Sequence, residues 1–265
     1  VRVVHHLGSL GKETTSMTEA RFEGKVALIT GAGSGIGRAV TLRLAEERAT
    51  VFAVDIDEAR LDETAELAPS EVTTHVADVS GAAACQAAVE ACIAAHARLD
   101  VLGNVAGISW GEHFVDVTVE QYRRMMGVNV DAAFFLSQAA LPHLLDTGGN
   151  IVNIASNAAL MGQAYTAVYC MSKGAVVQLT RSLAMEFVKT RLRVNAIAPG
   201  GVDTPLSQAF RVPEGVDYDL MNRYVGFRPM GQAGDIASMF AYVASDEAGS
   251  IHGAVISVDN GITAG

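Results

Sequence analysis

Positive charge is in short supply in this 265-residue sequence: 19 Lys and Arg stand against 29 Asp and Glu, a formal net charge of −10. Such a balance repels phosphate backbones and anionic lipid surfaces at long range, so neither nucleic acid nor a membrane is an expected partner. An uninterrupted apolar run long enough to span a bilayer is lacking too. Cysteine is limited to Cys85, Cys92 and Cys170, an odd number without a CxxC pair. That excludes a complete disulfide framework and predicts reduced, packed thiols. No Asn-x-Ser/Thr sequon occurs and the first residues carry no continuous apolar stretch, so a cytoplasmic location is expected. Six prolines are too few for a low-complexity chain, and 50% apolar against 18% charged residues is too greasy for a disordered one. What is abundant is glycine: 26 residues with no collagen-like period, which points to places where backbone must come close to something.

Residues 1–21 carry no apolar period and are expected to form a disordered leader, with Met17 as an alternative start; 22–265 is expected to be one catalytic domain. His5 and His6 adjoin in that leader, but no third ligand stands near them, so no metal site is expected. From Lys25 onward, apolar β-branched runs alternate with stretches of helical period. Strands are predicted at 26–30, 50–55, 72–77, 100–105, 150–155, 192–198 and 254–258. Helices are predicted from Ile36 and at about 57–66, 81–96, 119–145, 165–189 and 235–245. Strands apolar on both faces, alternating with helices, predict an α/β fold: a doubly wound parallel sheet of about seven strands covered by helices on each side. Residues 204–225 break the rhythm, and a loop of that length in a compact domain is usually functional, often a lid.

The segment Thr30-Gly31-Ala32-Gly33-Ser34-Gly35-Ile36-Gly37 joins the first strand to the first helix. Glycines there let backbone approach a ligand, and free N–H groups at the helix start face an anion with the dipole in support. A dinucleotide pyrophosphate fits, although the strict GxGxxG spacing is not met, and an ordinary tight turn is the alternative. Asp55 closes the second strand on the same sheet edge, where its carboxylate can accept from the ribose hydroxyls and repel a 2′-phosphate. Neither Ser34 nor Ile56 offers that phosphate a positive charge, so NAD is favoured; Arg38 keeps NADP open, and simple helix capping by Asp55 is the structural alternative.

Tyr169 and Lys173 stand four apart, one turn of one helix, after a strand that ends at Ser156. An ammonium beside a phenol favours the phenolate, which predicts a lowered Tyr169 pKa and a general base toward an alcohol, or acid toward a carbonyl. Ser156 would hold the substrate oxygen.

These motifs together resemble a short-chain dehydrogenase/reductase of the NAD-preferring kind, with a Rossmann-like fold, over residues 23–262. The resemblance implies that Tyr169 is the acid/base, that Lys173 also binds the nicotinamide ribose, that Ser156 orients substrate and that Asn129 belongs to a water-linked proton relay ending at Lys173; from the residues alone, a helix Asn reads equally as a satisfied polar core residue. Cofactor contacts are implied at Gly31, Ser34, Gly35, Ile36 and Gly37, at Asp55 and Ile56, and at Asp78 and Val79 around adenine. Further contacts are implied at Asn104, Ala106 and Gly107, and at Pro199, Gly200, Val202 and Thr204 around the carboxamide. Two positions depart from the pattern: Val105 replaces a second Asn, and Asn260 stands where Gly is usual, as the next-best residue at positive φ. The long helical segments at 119–145 and 165–189 resemble those that pair subunits in tetramers of the family, so the resemblance implies a homotetramer.

For the substrate, candidate pocket residues are Ile108, Ser109, Trp110 and His113, then Asn157, Leu160, Met161 and Gln163, then Leu206, Phe210 and Met221. This largely apolar set predicts an apolar secondary alcohol or its ketone, cyclic ones included, over a strongly anionic substrate. Two other readings stay open: an NADPH-dependent 3-oxoacyl reductase, and a catalytically silent dinucleotide-binding sensor.

Overall fold

The computed structural model describes residues 20–264. Most of the expected leader, with His5, His6 and Met17, lies outside the described residues, as does Gly265.

Among the described residues, nine strands and nine α-helices follow in chain order. Strands β1 (Val26–Thr30), β2 (Thr50–Asp55) and β3 (Val72–Val76) alternate with α1 (Gly35–Glu46), α2 (Glu58–Leu67) and α3 (Ala82–His96). Then come β4 (Val101–Asn104), α4 (Val119–Met126), α5 (Ala132–Thr147), β5 (Asn150–Ile154), α6 (Ala167–Glu186) and β6 (Arg193–Pro199). The chain ends through β7 (Val202–Asp203), α7 (Pro205–Gln208), α8 (Tyr218–Asn222), β8 (Gly231–Gln232), α9 (Ala233–Ala244) and β9 (Val255–Val258). Seven strands form one parallel sheet in the order β3-β2-β1-β4-β5-β6-β9. This is the expected doubly wound architecture.

Alternation along the strands explains the layers, since successive side chains of a strand point to opposite faces. From β1, Ala27 and Ile29 enter a core with Val51, Ala53, Leu44 and Phe240, under α1 and α9. Leu28 joins Phe52, Leu102, Ile151, Val89 and Leu136 in the opposite core, under α3 and α5. Cys85 and Cys92 are fully buried in that second core, and burial pushes their thiols up to about 11 and about 12. They are packed thiols, as the sequence predicts.

Two elements differ from expectation. The single helix expected over 119–145 is interrupted by a π turn, Gly127–Asp131, between α4 and α5. The wider turn lets the Asn129 amide reach Ile108, which a continuous α-helix would place differently. The segment 204–225 holds α7 and α8, and beyond it β8 pairs with β7 as a second, two-stranded parallel sheet too short to leave a period in the sequence.

Arg21, assigned by the sequence to the leader, belongs to the packed body. Its guanidinium donates to both oxygens of the fully buried Glu47 carboxylate at 2.6 and 2.7 Å, and Arg43 donates to the same group at 2.5 Å. Burial alone would raise the Glu47 pKa, but the bonds from Arg21 and Arg43 hold it below the ordinary glutamate value. A carboxyl with a lowered folded pKa stabilises fully above its unfolded pKa and loses that contribution as pH falls through the folded value. Glu47→Ala, which removes a shared partner from two guanidiniums and leaves Arg21 with Glu247 and Arg43 with Ser238, is expected to cost about 2 kcal/mol in urea unfolding at neutral pH, with the gap to the parent chain narrowing on acidification.

Candidate active site

Parallel strands all end on one edge, and the chain winds outward in opposite directions from β1 and β4, so a crevice opens between their tips. Thr30 organises it: its hydroxyl donates to the Gly103 carbonyl at 3.3 Å and accepts the N–H groups of Val105 and Ala106 at 3.0 and 3.1 Å. Gly31 then turns at φ +66, and a Cβ there would stand 2.9 Å from Ala106 Cα. A Cβ on Gly37 would stand 1.9 Å from the Gly31 carbonyl oxygen, so the helix start can close on the turn only with glycine. Ser34 is the N-cap of α1 but its side chain caps nothing, and no acidic side chain occupies the first turn. The first-turn N–H groups are thus available to an anion.

A cleft of about 680 Å³ runs along this edge. Gly31, Ser34, Gly35, Ile36 and Gly37 line it, together with Asp55, Ile56, Asp78 and Val79. At Asp55, one oxygen accepts the Gly33 N–H at 2.9 Å and the other the Asp57 N–H at 3.1 Å, which fixes the carboxylate at the tip of β2. Arg38 does not line the cleft. Its guanidinium is spent beneath the turn, on the Gly33 carbonyl at 2.6 Å, the Thr64 hydroxyl at 3.0 Å and Glu63 at 2.6 Å. The basic groups that do line this end are Arg60, paired with Asp57 at 3.2 Å, and Arg124, neither of which the sequence reading named. Asp78 accepts from Arg124 at 3.1 Å, and bonds from Ser80 first and Arg124 second hold its carboxyl below the usual range.

Ala106 and Gly107 line the middle of the cleft, and Pro199, Gly200, Val202 and Thr204 its far wall. Thr204 lies 3.3 Å from the position of a Cβ on Gly35, so the two walls meet there. Asn260 sits at φ +55, as its replacement of a glycine predicts, and donates to the Pro229 carbonyl at 2.8 Å. Asn104 does not line the cleft: its amide donates to Asn153 at 2.8 Å and Ser137 at 3.2 Å inside the sheet, tying β4 to β5.

Ser156, Tyr169 and Lys173 all line the cleft. Lys173 is buried, its amine donating to the Ile154 carbonyl at 2.8 Å and lying 5.9 Å from the centroid of the Tyr169 ring. Burial brings its pKa down to about 8. The lowered Tyr169 pKa expected from the sequence is corrected here: burial raises it, outweighing the hydrogen bond with Ser156 that draws it down. The desolvated Lys173 amine does not offset the loss of water around a phenolate. Asn129 stays behind the cleft, accepting the Ile108 N–H at 2.9 Å and donating to the Ile108 carbonyl at 2.9 Å and the Ser172 hydroxyl at 3.0 Å.

Ile108, Ser109, Asn157, Gln163, Leu206 and Phe210 line the substrate end; Trp110, His113, Leu160, Met161 and Met221 do not. His113 instead bonds the Glu214 carbonyl at 2.8 Å, and the Tyr165 hydroxyl accepts the Asp217 N–H at 2.8 Å. Both contacts fasten the 204–225 segment over the cleft. Among the described residues there is no cluster able to hold a metal ion, and no helix is long and apolar enough to cross a membrane.

Comparison with known proteins places this geometry. The family model described as Enoyl-(Acyl carrier protein) reductase matches residues 31–263. The chain is 36% identical over 246 residues to meso-2,3-butanediol dehydrogenase of Serratia marcescens, covering 92% of this chain and 96% of that protein. It is 35% identical over 249 residues to a 3-oxoacyl-(acyl-carrier-protein) reductase of Thermotoga maritima, covering 91% and 99%. A crystal structure of a short chain dehydrogenase from Mycobacterium paratuberculosis bound to NAD superposes with a TM-score of 0.85 at 32% identity, over 92% of this chain and all of that one.

A lysine whose folded pKa is lowered penalises the fold while it is charged. The penalty is full below about 8 and fades as pH rises toward the unfolded value of 10.5. The stability difference between the parent chain and Lys173→Met, followed by urea unfolding, is therefore expected to move in favour of the parent between pH 8 and pH 10.5.

Proposed function

The chain belongs to the short-chain dehydrogenase/reductase family, and we propose that it is an NAD(H)-dependent dehydrogenase in which Tyr169 is the general acid/base for a neutral secondary alcohol or ketone. That it is an oxidoreductase of CH–OH groups with a nicotinamide cofactor follows from family membership; the rest is our reading. One observation carries it: Ser156, Tyr169 and Lys173 meet in the same cleft whose other end is the glycine turn and the carboxylate of Asp55.

The residues present fit a dinucleotide, because the cradle at Gly31 and Gly37 excludes side chains and leaves N–H groups free. We assign the pyrophosphate to the turn from Gly31 to Gly37, the adenosine ribose to Asp55 and the adenine to Asp78, Val79 and Ile56. Ala106 and Gly107 form the floor, and Pro199, Gly200, Val202 and Thr204 the wall beside the nicotinamide. Asn104 braces β4 rather than touching cofactor. When bound, the nicotinamide accepts or supplies the hydride. The Ser156 hydroxyl, fixed by the Ala158 N–H at 3.1 Å, positions the substrate oxygen within reach of Tyr169. Tyr169 takes the hydroxyl proton in oxidation and returns it in reduction. A second, small cavity of about 10 Å³ is lined by Lys173, Asn129 and Asn104, room for one water, and supports the relay from Lys173 toward Asn129.

The phenol pKa is raised, so oxidation should speed up with rising pH while reduction uses the phenol as it stands. NAD is preferred because Asp55, held by two backbone donors, meets the ribose with negative charge. Arg60, lining the cleft nearby, supports a second reading, a 3-oxoacyl reductase using NADPH. We further propose a cytoplasmic homotetramer, supported by the apolar Phe134, Met171 and Met185 left exposed on α5 and α6. Titration with both nucleotides tests the cofactor: NAD(H) is expected to bind at least about 10-fold tighter, and Asp55→Ala to erase the preference. Tighter NADP(H) binding, with NADPH-dependent reduction of a 3-oxoacyl thioester, would favour the second reading.

A further inference from the structure

The substrate half of the cleft holds a pair of amides that the acid/base chemistry does not use. Asn157, buried next to Ser156, accepts on Oδ1 both the Ser156 hydroxyl at 3.2 Å and the Gln163 Nε2–H at 3.2 Å. Both residues line the cleft. One N–H···O bond between two primary amides consumes one carbonyl and one amino group and leaves one of each. Here Asn157 Nδ2 and Gln163 Oε1 have no hydrogen-bond partner among the described residues, and neither is sealed away from solvent. Exchanging the two ends of each amide leaves the same inventory, one donor and one acceptor facing the cleft. The neighbouring polar groups are spent: the Thr166 hydroxyl donates to the Gln163 carbonyl at 3.1 Å and the Tyr224 hydroxyl to the Ala164 carbonyl at 3.0 Å.

We propose that Asn157 and Gln163 form a second oxygen-binding subsite, so that the preferred substrates carry a neutral hydroxyl or carbonyl on the carbon next to the reacting one: vicinal diols, α-hydroxy ketones or vicinal diketones. The inference rests on Ser156 and Tyr169 holding the reacting oxygen, as proposed above. Asn157 follows Ser156 in the chain and accepts its hydroxyl, so an oxygen on the carbon next to the reacting one meets the amide pair. A hydroxyl satisfies both halves of the pair, donating to Gln163 and accepting from Asn157; a carbonyl satisfies the donor. A carboxylate does not belong there. The charged side chains lining the cleft are Asp55, Arg60, Asp78 and Arg124, around the adenosine end, and Lys173, which bonds the Ile154 carbonyl. Neutral amides without a cation beside them reject a full negative charge.

The test compares cyclohexane-1,2-diol with cyclohexanol, measuring NADH or NADPH formation by the purified parent chain, Asn157→Ala and Gln163→Leu. The parent is expected to show kcat/KM at least about 30-fold higher for the diol, because a bound mono-alcohol displaces water from the amide pair without replacing its hydrogen bonds. Each variant is expected to bring that ratio down by about 10-fold or more. If Asn157 only braced Ser156, Asn157→Ala would slow both alcohols alike and leave the ratio in place. Gln163→Leu, at a less buried position, repeats the measurement without touching Ser156. A parent ratio near unity, or a ratio that survives in both variants, overturns the subsite while leaving the dehydrogenase reading intact. No oxidation of either alcohol with either nucleotide defeats that reading and the subsite with it.

Discussion

The arrangement depends on how closely backbone approaches backbone where β1 and β4 part. Thr30 ties the two tips together by accepting two N–H groups beyond β4 and donating to its carbonyl. Gly31 then passes so near Ala106 that no side chain fits between them. That contact keeps the crevice at the switch point open to a flat, elongated ligand and sets the start of α1 against it. The site we assign is laid out from this junction: Asp55 stands at the tip of the next strand on one side and Ser156 just past the tip of the next strand on the other.

Polarity is divided along the cleft. The adenosine end carries both signs of charge, with Asp55 and Asp78 each braced by neighbours and Arg60 and Arg124 beside them. Toward the reacting end the side chains become neutral, and the one amine present is desolvated enough to titrate at about 8. A buried amine with a single carbonyl partner is a poor salt-bridge former but a ready proton carrier at neutral pH. The phenol beside it, raised by burial, is an acid at rest and a base only when something draws its proton away.

Much of this was legible from residues alone. The central strands announced themselves because a parallel strand buried on both faces reads as an unbroken apolar run, as Val26-Ala27-Leu28-Ile29 does. Gly31, Gly35 and Gly37 were legible because steric exclusion leaves one residue type, and Tyr169 with Lys173 because a four-residue spacing on a helix is geometry. Features created by tertiary packing were not. Arg38, which the sequence left open for a 2′-phosphate, is spent beneath the turn, and Arg60, which the sequence did not single out, lines the cleft, since which arginine faces a cleft depends on helix rotation that spacing does not reveal. The π turn that sets Asn129 on Ile108, the inward turn of Asn104 and the sign of the Tyr169 shift likewise depend on neighbours distant in the chain. Asn157 and Gln163 were visible as candidate pocket residues, but their pairing was not.

The central claim is that one buried phenol at this sheet edge moves the proton while separate, mostly backbone contacts hold the dinucleotide. It is tested most directly by measuring turnover and NAD affinity together in Tyr169→Phe. Because the change removes a proton donor and acceptor without removing a large contact, alcohol oxidation should fall by about 1,000-fold or more while NAD affinity stays within about threefold. Retained turnover, or turnover and affinity lost together, would contradict the account.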